Sequence, residues 1–84
     1  MMNKDYLLFH LKEGLEQLSR TVSECESDPS YSEGQLLLDM QHLYHHLNTA
    51  WNTREVGPQI IAQASDHDFN LWGSYPADLK TLAI

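Results

Sequence analysis

Residues 8–25 read LFHLKEGLEQLSRTVSEC, and in them Leu8, Leu11, Leu15, Leu18, Val22 and Cys25 recur at alternating three- and four-residue steps. Residues 36–50, LLLDMQHLYHHLNTA, repeat the pattern with Leu36, Met40, Leu43, Leu47 and Ala50. Such spacing stacks the apolar side chains along one side of a helix, whereas a strand would alternate every second residue. Between the ladders, Glu26-Ser27-Asp28-Pro29-Ser30-Tyr31 reads as a turn. The expected fold is all-α: an antiparallel pair of long helices, about 4–27 and 33–53, with short C-terminal helices packed on it. The chain, 1–84, is expected to form a single helical domain that dimerises into a helical bundle.

The ends of both helices are marked. Asn3 is a good N-cap, and Asp5 lies in the first turn, where the helix dipole favours a carboxylate. Pro29 stops the first helix, since the residue before a proline avoids helical geometry. Ser32 and Gln35 have the spacing of a capping box for the second. In heptad terms Leu8, Leu15 and Val22 are a positions, and Leu11, Leu18 and Cys25 are d positions, which predicts a buried, inert thiol. Gly14 falls beside that seam and costs about 1 kcal/mol relative to alanine. Close approach of Trp51 or Tyr44 would account for it; otherwise it is a weak spot.

The second helix is apolar over more than one seam. Leu37, Tyr44 and Trp51 occupy successive e positions, a second stripe that one neighbouring helix cannot cover. The cover must come from the C-terminal third or from another copy. In that third, Gly57-Pro58 opens a short helix carrying Ile60, Ile61 and Ala64, and Ser65-Asp66-His67-Asp68 opens another presenting Phe69, Leu71 and Trp72. Ser74-Tyr75-Pro76 is read as the start of a last one through Leu79 and Leu82. Phe69, Trp72 and Tyr75 are the expected anchors against Leu37, Tyr44 and Trp51.

The charge balance narrows the partners. In 84 residues there are 12 acidic and 5 basic side chains, for a net charge of −7. Nucleic-acid binding needs clustered Lys and Arg, so it is not expected. No Lys or Arg falls between Arg20 and Arg54, while Glu24, Glu26, Asp28, Glu33 and Asp39 do. In a hairpin Glu24, Glu26, Asp28 and Glu33 gather at the tip, as a solvated surface or as a docking patch for a basic protein. The single cysteine excludes an internal disulfide and suits a reducing compartment. No signal peptide or membrane span is legible, so a cytoplasmic location is expected.

Chemistry has few candidates. Asp39, His42 and His46 share one side of the second helix, a half-site of the kind that holds zinc or another divalent ion. They sit at flanking positions rather than inside a bundle, where paired metal ions are held. His42, His45 and His46 could instead sense pH, since gathered imidazoles protonate at one another's expense. Asp66-x-Asp68-x-Asn70 opens like a calcium loop, but Leu71 stands where glycine is needed and no glutamate closes it. Asn48 and Asn52, one turn apart, could bond a partner's backbone.

The leading expectation is a non-enzymatic protein without a cofactor, working by protein–protein contact as a homodimer, as an adaptor, inhibitor or regulatory subunit. The alternative is a divalent-metal-binding helical protein using Asp39, His42 and His46. A third is a monomer whose short C-terminal helices cover the pair completely.

Overall fold

The computed structural model describes residues 1–80 and residue 82. Four helices follow in order: α1, Lys4–Ser27; α2, Glu33–Asn52; α3, Pro58–Ala62; and α4, Asp66–Trp72. The long pair ends within one residue of the expected bounds, because local chemistry sets those ends. Asn3 Oδ1 accepts the Tyr6 amide at 3.3 Å. Ser32 and Gln35 exchange both bonds of a capping box, at 2.9 and 3.3 Å. In the turn, Asp28 Oδ1 accepts from the Ser30 amide and hydroxyl, and those bonds hold its carboxyl below the usual range.

At the other end of the hairpin Asn3 is also a clasp. Its amide donates to Arg54 O at 2.7 Å, and its side-chain Nδ2 donates to Val56 O at 2.9 Å. The first turn of α1 is thereby fastened to the loop that follows α2.

The apolar ladder of α1 does not meet α2, whereas that of α2 reaches the seam through Ala50, Leu43 and Leu47. The buried row of α1 is His10, Gly14, Gln17 and Thr21; facing it on α2 are His46, Thr49 and Ala50, with Thr53 just beyond, while the buried Asn48 lies on the opposite side of α2 under Gly73. Ala50 is the one fully buried hydrophobic side chain among the described residues. Leu8, Leu11, Leu15, Leu18, Val22, Leu36 and Leu47 are exposed, Leu15 at 64%. Cys25, expected in the seam, is exposed with them. At 100° per residue the α1 ladder lies about 100° around the helix from its buried row.

The seam is narrow because its residues are small. A Cβ on Gly14 would lie 3.4 Å from Leu47 Cδ2, 3.6 Å from Leu43 Cδ1 and 3.8 Å from His46 Cβ. These side chains press on Gly14, rather than Trp51 or Tyr44.

Both ladders turn to the same side of the hairpin. The α2 ladder is rotated from its buried row in the same sense as the α1 ladder, and antiparallel helices rotated alike present one common face. Leu7 and Leu11 of α1 accordingly share a hollow of about 340 Å³ with Leu47, Ala50 and Trp51 of α2, and Leu79 of the C-terminal segment lines it as well. The consequence is a large surface. The chain exposes 6443 Å², against about 5,100 Å² for a compact monomer of its mass. Its radius of gyration of 14.7 Å exceeds the roughly 12 Å of a compact domain of this length.

The C-terminal third lies on another flank of α2, and polar ties hold it there. Asn48 Nδ2 donates to Gly73 O at 2.9 Å; Asn52 Nδ2 donates to Trp72 O at 2.7 Å and Ser74 O at 2.9 Å. Asp78 accepts from the Trp51 indole at 3.0 Å and pairs with Arg54 at 3.1 Å, whose guanidinium lies 3.9 Å above the Trp51 ring. Phe69 and Trp72 pack edge to face on each other, and Trp72 is half-buried, while Tyr75 is exposed. The short helices therefore leave Leu37 58% and Tyr44 49% exposed and do not cover the pair completely. No helix follows Tyr75 among the described residues. Of the helix expected through Leu82, residue 81 lies outside them.

Two substitutions test this packing. Gly14→Ala places its methyl in ordinary contact with Leu43 and Leu47 and removes the helical penalty of glycine, so urea unfolding should show a gain of about 0.5–1 kcal/mol. Asn52→Ala leaves the Trp72 and Ser74 carbonyls without that donor. It should cost about 1–2 kcal/mol and speed amide exchange in residues 66–80 while α1 stays protected.

Candidate functional site

Within the seam three histidines form a continuous hydrogen-bonded chain between the helices. Gln17 Nε2 donates to Thr21 Oγ1 at 3.0 Å, which leaves Gln17 Oε1 facing His42 Nδ1 at 2.6 Å. His42 Nε2 lies 3.1 Å from His46 Nε2, and His46 Nδ1 lies 3.0 Å from His10 Nδ1. His10 is 6% exposed and His46 9%. His10 Nε2 closes the chain, buried and without a partner.

The order of these contacts assigns the protons. An amide oxygen only accepts, so His42 carries its proton on Nδ1 and a lone pair on Nε2. His46 must then donate from Nε2 and accept at Nδ1. His10 donates from Nδ1, and its Nε2 ends as a bare lone pair. Every link is satisfied with one proton per ring, all three rings neutral. A fourth proton taken up by the buried pair shifts the tautomers until an N–H stands at His10 Nε2, which has no partner among the described residues.

The electrostatics agree. Burial pushes His10 down to about 4, with further lowering from His46 and His45. Burial likewise lowers His46, reinforced by His42 and His45 and opposed by Glu13. Tyr6 packs edge to face on His10, with ring centres 4.7 Å apart, and burial raises its hydroxyl pKa.

The expected site residues separate. His42 and His46 do converge, but on each other and on Gln17 and His10. The Asp39 carboxylate instead accepts the Tyr31 hydroxyl at 2.6 Å, a bond that raises the tyrosine pKa. Asp39, His42 and His46 are thus not brought together as ligands. Among the described residues no group of three or more His, Cys, Asp or Glu is placed to hold a metal ion. His45 lies outside the chain, turned toward Gly73, and its Nδ1 stands 2.6 Å from where a Cβ on Gly73 would be.

At the hairpin tip Glu26 and Glu33 are exposed, and Glu24 and Asp28 half-buried. Of the expected interface residues, Leu37 and Tyr44 stand open beside the apolar face, while Trp51 is half-buried under Arg54. Phe69 and Tyr75 are exposed. No helix is long and apolar enough to cross a membrane among the described residues.

Sequence reasoning missed His10, Gln17 and Thr21. Their signal was present: with Gly14 they form an i, i+4, i+7, i+11 row as regular as the leucines.

No protein-family model, curated protein or solved structure matches this chain.

The neutral chain predicts an acid-sensitive fold. His10 binds its proton more weakly when folded, at about 4, than in the unfolded chain at about 6.5. Its contribution is therefore complete above about pH 6.5, declines as the pH falls, and is gone below about pH 4. That difference corresponds to at most about 3 kcal/mol. Urea unfolding at fixed protein concentration should show the loss between pH 6.5 and 4. Asp28, Asp68 and Asp78, whose hydrogen bonds lower them from 3.8, lose their contributions only at lower pH.

Proposed function

We propose that this chain acts by protein–protein contact and that its working form is an antiparallel homodimer, two hairpins joined apolar face to apolar face as a four-helix bundle. The observation that carries the reading is the single apolar face formed by Leu8, Leu11, Leu15 and Leu18 with Leu36 and Leu47, all exposed in one chain. A hairpin whose own seam buries one alanine completely has little to set against the entropy of ordering the chain.

The occupant is a second copy because the chain exposes more surface than one interface needs. The surface in excess of a compact monomer is about 1,300 Å², and a stable interface takes about 800 Å² from each partner. Two copies meeting on this face bury each other's ladders with no third component. Leu37, Tyr44 and Trp51 extend the buried surface at its edge.

Charge favours the antiparallel arrangement. The tip carries acids without a base between Arg20 and Arg54, whereas Lys4 and Arg54 lie at the open end with Asp5, Glu55 and Asp78. Parallel pairing would set two acidic tips against each other; antiparallel pairing lays each on the mixed end of its neighbour.

Sedimentation equilibrium of the full chain should return twice the 9.7 kDa of one chain. Leu15→Glu changes a side chain that is 64% exposed in the hairpin, so the helical circular dichroism signal should persist. Self-association should weaken about a hundredfold or more. A single-chain mass at every concentration up to about 100 μM overturns the homodimer. Orientation is read from Cys25, the one cysteine. The two copies of it stand about 30 Å apart in the antiparallel pair, so oxidation should not link the dimer. A disulfide-linked dimer selects the parallel arrangement.

A further inference from the structure

We propose that the histidine chain His42–His46–His10, buried at His46 and His10 and open to water at His42, makes assembly of the homodimer proton-dependent: neutral rings hold α1 on α2 and keep the apolar face whole, and uptake of a proton by the buried pair parts the helices and breaks that face. This rests on the homodimer reading and adds its control.

The first ground is geometric. The three rings are the polar bridge between the two helices, with His10 on one side and His42 and His46 on the other, at N···N distances of 3.0 and 3.1 Å. Each link needs one donor and one acceptor. An additional proton gives a link two donors, or an N–H at His10 Nε2 in a site with no acceptor. Relief comes from moving the buried rings apart into water, and the His46–His10 link joins α2 to α1, whereas His42 and His46 share α2. The lowered pKa values of His10 and His46 express the same cost.

The second ground is the mechanical connection to the apolar face. Leu43, Leu47 and His46 converge on Gly14, within 3.4–3.8 Å of the position of its missing Cβ. Leu47 also lines the hollow shared with Leu7 and Leu11. Whatever moves His46 off α1 moves Leu43 and Leu47 with it. One continuous face then becomes two separate helical ladders, and a second hairpin can no longer bury both at once.

The surrounding groups fix the direction. The titratable side chains facing His10 and His46 are Tyr6 and Glu13 from α1, and His42 and His45 from α2. Glu13 is the one carboxylate among them, and it favours the charged form of His46. The other imidazoles disfavour charge and outnumber it. Overall charge pulls the opposite way. The chain carries −7 at neutral pH and has a sequence pI near 4.9, so acidification toward pH 5.5 reduces repulsion between copies and by itself tightens a dimer. The histidine chain requires the dimer to loosen over that interval, so the sign of the change separates the two effects.

Sedimentation equilibrium of the full-length chain at pH 7.5 and 5.5, at equal ionic strength, decides the matter. The expected result is a dimer at pH 7.5 whose Kd rises about tenfold or more at pH 5.5. A dimer with equal or tighter Kd at pH 5.5 overturns the proton control and leaves the dimer standing. A single-chain mass already at pH 7.5 overturns both. In the His10→Gln, His46→Gln double variant, whose amides hydrogen-bond without titrating, the two Kd values should agree within about twofold. Should that variant fail to fold, nitrogen-15 spectra of the imidazoles in the unaltered chain give an independent reading. At pH 7.5 they should show Nδ1–H at His10 and His42 and Nε2–H at His46, with ring protonation over the same pH interval as dimer loss. Different tautomers, or rings that titrate outside that interval, overturn the proposal.

Discussion

Polar side chains taken out of water in the α1–α2 seam pair with one another, only His10 Nε2 and Thr49 Oγ1 being left over among the described residues, and that pairing governs the molecule. Gln17 and Thr21 satisfy each other, Gln17 orients His42, and His42 orients His46, which in turn receives His10. The seam is narrow enough for these contacts because glycine, threonine and alanine occupy the positions between them. With the small and polar row committed inward, helical geometry leaves the leucines nowhere to go but sideways. The open apolar face and the neutral imidazole chain are two results of one choice of seam.

The C-terminal third follows the same logic. Its short helices bring little apolar burial to α2 and are held by amides: Asn48 and Asn52 reach the carbonyls at the end of α4, where a helix has acceptors to spare. Trp51 contributes its indole N–H to Asp78 and its ring face to Arg54. Leu79 touches the edge of the apolar face, at the hollow it shares with Leu11 and Leu47, while Leu8, Leu15, Leu18 and Leu36 stay exposed.

What the sequence discloses and what it hides divide along the range of the forces. The bounds of α1 and α2 are legible because Asn3, Pro29, Ser32 and Gln35 act within a turn of where they stand. The choice of seam is not, since two rows on α1 share the same periodicity, and the apolar one is the usual candidate for burial. Gly14 was the discriminating clue, since it falls in the row that packs on Leu43, Leu47 and His46 and not in the leucine row. The leucine row points to burial that one chain does not supply. At the site, His42 and His46 stood out by spacing, but their partners His10 and Gln17 lie 36 and 25 residues away in the chain. Asp39 was drawn to them by proximity along the helix, yet Tyr31, eight residues earlier, holds it. The aromatic residues of the tail drew attention as anchors, while the ties fell to Asn48 and Asn52, since each carbonyl there needs a donor and an aromatic ring offers few.

Asn3 belongs at once to the cap of α1 and to the clasp on residues 54–56. Fraying of the first helical turn and release of the loop after α2 are therefore a single event, and a substitution there acts on both. The open end of the hairpin has no loose thread that can unravel alone: the chain's beginning and the exit from its second helix melt together or hold together.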